Sequence, residues 1–145
     1  MPWSRRNLLG GYVVSLIAIL LLSSCASLPS AGVNEPHVIV IRNRSGTDID
    51  TVTLRETSTR SQASLFVSIS PVPFGVSQEF VRPKDPPPLP RIVVIEWVDN
   101  EGRARGRDLS ISKALRSATG SGGEAIVFEI WQDDDVLVFI ENIAK

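Results

Sequence analysis

The stretch RIVVIEWVDNEG, Arg91 to Gly102, places apolar residues at Val93, Ile95 and Trp97 and then breaks into a polar tetrapeptide. A period of two sets those three side chains on one face of a β-strand. Asp99-Asn100-Glu101-Gly102 reads as a hairpin connection, with Gly102 supplying the positive φ that such turns need. A short strand and a tight turn make the unit from which the rest of the chain is read.

Upstream, HVIVIRN (37–43) is apolar at four successive positions, as in a strand covered on both faces. Arg44 to Thr47 reads as a turn, and IDTVTLRE (49–56) alternates Val52 and Leu54 with threonines. SLFVSIS (64–70) is expected to carry Leu65, Val67 and Ile69 on one face, and VSQEFVR (76–82) is a weaker strand. Downstream, RDLSI (107–111) is short, and AIVFEIW (125–131) and VLVFIEN (136–142) flank a hairpin at Gln132 to Asp135. Ile111, Ala114, Leu115 and Ala118 fall at helical spacing, which predicts a two-turn helix over Ser112 to Ala118. Ser110 or Ser112 is expected to cap its start and Gly120 to close its end. About eight strands in roughly 105 residues predict a small all-β domain, an antiparallel β-sandwich or Greek-key barrel of seven to eight strands. One short helix cannot supply the crossovers of a parallel α/β fold.

The N-terminus has a different grammar. MPWSRRN carries Arg5 and Arg6, and Leu8 to Leu22 is uncharged and mostly apolar. A basic, an apolar and a small-residue region in that order predict a secretory leader. Leu22-Ser23-Ser24-Cys25 resembles the lipobox of bacterial lipoproteins, an aliphatic residue and two small ones before a cysteine. The resemblance covers residues 1–27 and extends no further. It implies that signal peptidase recognises Leu22, Ser23 and Ser24, that Cys25 receives a diacylglyceryl group, and that cleavage makes Cys25 the acylated N-terminus. Durable membrane binding takes two or more acyl chains, which explains placing the chain's single thiol there. Ser4-Arg5-Arg6-Asn7-Leu8-Leu9 also resembles the twin-arginine export motif, with Gly10 in place of the usual lysine; a basic pair equally suits the general secretory route. No Asp follows the cysteine, which resembles the outer-membrane sorting pattern of enterobacterial lipoproteins. The expected organisation is a leader (1–24), a lipidated N-terminus with a Pro- and Gly-containing tether (25–36), and a β domain (37–145).

Without the leader the chain carries thirteen basic and sixteen acidic residues, a balance of −3. A mildly acidic body argues against a nucleic-acid partner. The expected partners are the membrane, through lipid, and another envelope component.

Catalytic and metal motifs are sparse. His37 is the only histidine and no G-x-S-x-G stretch occurs, so a Ser-His-Asp hydrolase lacks its parts. Asp133-Asp134-Asp135 does not alternate as calcium loops do, and no cofactor is implied. Glu96 and Glu129 each interrupt an apolar strand and are expected to face solvent; a carboxylate pair would need one shared cleft. The reading is therefore a non-enzymatic module, with candidate contact residues in three places. Arg103, Arg105 and Arg107 alternate and could grip an anion or guard a strand edge. Pro86, Pro87 and Pro88 stiffen PKDPPPLPR (83–91), as a docking strip or a rigid crossover between sheets. Phe74, in SPVPFG (70–75), is a candidate contact, and Phe74 and Trp131 are the apolar residues whose exposure would matter, since aromatic residues commonly anchor interfaces. The alternative is an inhibitor of an envelope hydrolase, a lysozyme or protease, with SPVPFG as the plug.

Overall fold

The structure is a computed structural model that describes residues 35–57 and 64–143. The predicted leader with Arg5 and Arg6, the lipobox-like residues Leu22, Ser23, Ser24 and Cys25, and residues 58–63 lie outside the described residues. Val33–Lys145 is one compact unit. It is a β-sandwich of eight strands: β1 (Val38–Arg44), β2 (Ile49–Glu56), β3 (Ser64–Ile69), β4 (Ser77–Val81), β5 (Ile92–Asp99), β6 (Ala104–Ser110), β7 (Glu124–Trp131) and β8 (Val136–Asn142). One helix, α1 (Ser112–Ser117), joins β6 to β7. The first sheet has the order β4-β1-β7-β8 and the second β3-β2-β5-β6, so the architecture is an open sandwich and not a closed barrel.

The alternation in RIVVIEWVD holds. Val93, Ile95 and Trp97 are buried and meet Ile39, Ile41, Ile126, Phe128 and Ile130 of the facing sheet. The pairs β1–β4, β2–β3, β2–β5, β5–β6 and β7–β8 are antiparallel, but β1 pairs parallel to β7, Val38 opposite Ala125 through Arg44 opposite Trp131. This corrects the purely antiparallel expectation. Both strands start from the same end of the sandwich, and pairing of strands so far apart leaves no turn signal in the sequence. β7 is buried at every position from Glu124 to Ile130. Its second face is covered by a smaller cluster in which Val40, Ala125 and Val127 pack with Val38, Phe139 and Ile143.

Two local expectations are corrected. The β2–β3 register shifts, with Leu54 opposite Val67 but Arg55 opposite Leu65. Phe66 is therefore the extra residue of a β-bulge, and the bulge turns Leu65 outward, 53% exposed, while Phe66 packs on the core. At α1 the N-cap position is Ile111, with no side-chain cap. Neither Ser110 nor Ser112 serves; instead buried Ile111 accepts from Leu115 N–H. Ala114 and Leu115 point into the core, as their spacing requires, and α1 packs beside β8.

Candidate functional site

Four connections leave the strands at one end of the sandwich: 45–48, 70–76, 100–103 and 132–135. The chain enters β1 at the opposite end, through Glu35 to His37. The first end is tied together by side chains. Asn43, fully buried, donates from Nδ2 to Thr47 O and Val72 O, each at 2.8 Å, and its Oδ1 accepts from Ser45 N at 2.9 Å. Gly75 N–H donates to Asn43 O and Asn100 N–H to Asp48 O. Every polar group in this hub has a partner, so it fixes the loops relative to one another.

Two aromatic residues stand out of this end. Phe74 is 53% exposed, and its N–H donates to Asp48 Oδ1 at 2.8 Å. Its loop contains a cis Ser70–Pro71 peptide and a bridge between Ile49 and Val72. Trp131 is 43% exposed, yet its indole N–H donates to Glu129 Oε1 at 2.8 Å. Glu129 is in turn held by Arg42 at 3.0 Å, and Arg42 also grips Glu141 at 2.7 Å. The hydrogen bonds to Glu141 and Glu129 raise the Arg42 guanidinium above its ordinary value against the opposing effect of burial. The arrangement is a ring held in place by a charge relay across β1, β7 and β8. Val76 and Leu137 are further exposed apolar residues near it.

Glu129 was expected to face solvent. It does lie on the outward side of its sheet, but it is buried under Trp131 and Arg42. Glu96 is exposed on the outer face of the other sheet, paired to Arg55 at 2.9 Å. The two carboxylates lie on opposite outer faces with the core between them, so they share no cleft. Glu96, Arg55, Thr51 and Thr53 line a shallow trough of about 440 Å³ floored by Ala104 and Gly106. Among the described residues no group of three or more His, Cys, Asp or Glu is placed to hold a metal.

The three arginines after Gly102 have separate duties. Arg103 Nε lies 2.7 Å from Asp99 Oδ2, and Arg105 Nε lies 3.0 Å from Asp134 Oδ1. Arg105 thereby ties the edge of one sheet to the β7–β8 turn of the other. Burial pushes the Asp99 carboxyl up, but hydrogen bonds from the Arg103 backbone and side chain and from Glu101 N–H bring it below the usual value. Arg107 is exposed and, among the described residues, reaches the Gly106 carbonyl.

The proline segment crosses between sheets at the opposite end, from β4 to β5. Pro86 is half-buried and Pro87 and Pro88 are exposed, but Leu89 is in the core. Arg82, buried, donates to Glu35 Oε2 at 3.2 Å, to Pro36 O at 3.1 Å, and to Pro87 O. Glu35 Oε2 also accepts from Leu89 N–H at 2.7 Å. The segment and the chain's entry are thus stapled through one guanidinium. Nearby, N–H groups of Thr119 and Gly120 and the Thr119 hydroxyl converge on Glu124, and the Thr119 backbone bond leads in lowering its carboxyl below the usual value.

Of the candidate contact residues, Phe74 lies at the same end as Trp131, whereas Pro86, Pro87 and Pro88 lie at the other. Asn43, Arg42 and Glu129 carry no motif; Glu129 is marked only by interrupting an apolar run, and Arg42 and Asn43 only by ending one.

No family model matches the chain, and no curated protein matches it. Among solved structures, the chain is similar to an NMR structure of a protein from Eubacterium rectale, at 12% identity and a TM-score of 0.40, over 73% of this chain and 90% of that one.

Proposed function

We propose that the chain is a lipoprotein held through Cys25 at a bacterial membrane, on the periplasmic face of an outer membrane, and that its β domain is a non-enzymatic binding or assembly module. The contact surface is the end bearing Phe74 and Trp131. The observation that supports this reading is that these exposed aromatic residues are pre-positioned, by Asp48 and by the Arg42–Glu129 relay, at the end remote from the chain's entry. Aromatic residues with fixed geometry lose little entropy on docking and commonly carry the binding energy of an interface. A domain tethered at the Glu35 end would present them away from the membrane.

The test has two arms. Intact mass of the membrane-extracted chain should show cleavage before Cys25 plus acyl groups, and Cys25→Ser should release the domain from membranes. In-cell crosslinking of the full chain should join it to an envelope component, and Phe74→Ala with Trp131→Ala should abolish that product while the domain stays folded. Retention of either membrane binding or crosslinking defeats the corresponding half of the proposal.

The braced Phe74 loop favours one second reading, inhibition of an envelope lysozyme or protease by insertion of SPVPFG. Unchanged lysozyme and protease rates in the presence of micromolar domain would remove it.

A further inference from the structure

We propose that the partner met by the Phe74–Trp131 end is a protein surface that is basic around an apolar recess; this rests on the contact surface just described. The charge of the domain is polarised from one end of the sandwich to the other. Segments 44–50, 70–76, 99–105 and 131–135 together hold seven acidic and three basic residues, a balance of −4. The described segments at the opposite end, 35–37, 82–91 and 111–124, hold five basic and three acidic residues, a balance of +2. A chain with a formal charge of −1 thus concentrates its negative charge at the aromatic end.

That charge is not consumed internally. Arg103 is held by Asp99 and Glu101, and Arg105 by Asp134 and Asp99. Asp48, Asp50, Asp133 and Asp135 form no ion pair among the described residues, and all four are exposed. Asp133 and Asp135 lie two and four residues after Trp131, and the Asp48 carboxylate accepts the Phe74 N–H. Carboxylates therefore flank both aromatic residues. Exposed acids around apolar anchors reject anionic lipid, nucleic acid and acidic proteins by repulsion. They steer a cationic protein toward the rings, with a range set by a Debye length of about 8 Å at physiological salt.

The experiment uses the full chain in its own envelope, with a photo-reactive phenylalanine analogue at position 74. The crosslinked peptide should come from a Lys/Arg-rich surface. Asp133→Asn with Asp135→Asn, which leaves Phe74, Trp131 and the Asn43 hub intact, should cut the yield roughly three- to ten-fold in low salt, with the gap closing near 0.5 M salt. Asn tolerates the left-handed backbone at 133, where φ is 65°. A product lost with Trp131→Ala but indifferent to the Asn pair and to salt, or one mapping to a neutral or acidic surface, overturns the inference and leaves the contact surface standing. No product from position 74, or one indifferent to Trp131→Ala, overturns both.

Discussion

Replacing Arg82 by Met tests the staple between the chain's entry and the proline crossover. The Arg82 side chain is 6% exposed, and Met keeps most of its aliphatic volume while removing every donor. Three acceptors lose a partner: Glu35 Oε2, Pro36 O and Pro87 O. Each backbone carbonyl accounts for about 1 kcal/mol. The carboxylate adds about 1 kcal/mol rather than the full cost of a stranded buried charge, because Glu35 retains the Leu89 N–H and some water. The expected loss is about 3 kcal/mol, read by urea unfolding of residues 33–145 with an unchanged m-value. In a double-mutant cycle, Glu35→Gln should couple to Arg82→Met by at least about 1 kcal/mol. A loss under about 1 kcal/mol for Arg82→Met, or additive effects of the pair, would refute the staple. Should Arg82→Met fail to fold, Glu35→Gln alone still tests it.

Other consequences can be measured on the same domain. Glu124 and Asp99 sit below their ordinary values of 4.5 and 3.8, so the unfolded chain binds protons first on acidification. Their stabilisation is present above those values and lost as pH falls through the lower folded ones; Glu124→Gln should flatten the stability curve below about pH 4.5. Trp97 is buried, and its indole N–H has no partner among the described residues, so Trp97→Phe should cost within about 1.5 kcal/mol by chemical denaturation, whereas Phe128→Ala should cost about 3–5 kcal/mol. Gly102 has φ +78° with open space around it, so Gly102→Ala should lower stability by about 1 kcal/mol through backbone strain alone.

Strands were legible wherever one residue decided one face. IDTVTLRE and VLVFIEN coincide with β2 and β8, because apolar residues at every second position, Val52 and Leu54 in β2 and Val136, Val138 and Ile140 in β8, admit one register against the main core. Leu65 misled because a bulge resets the alternation, and nothing local in SLFVSI announces the extra residue. Glu129 misled for a different reason: alternation gives the side a residue faces, while its burial depends on Arg42 and Trp131 lying over it. Phe74 was legible as an exposed aromatic residue in a Pro- and Gly-rich loop. The gathering of its loop with three others depends on the parallel β1–β7 pairing and on Asn43, both set by contacts far apart in sequence.

The placement of β1 has a mechanical consequence. A pull on the chain at Glu35 acts along β1, which lies between β7, in register over seven residue pairs, and β4, in register over five. The ladder bonds on both flanks run across the line of tension, so they share the load and must rupture together instead of opening one by one. Traction applied along β1 from that terminus therefore loads both of its ladders in shear.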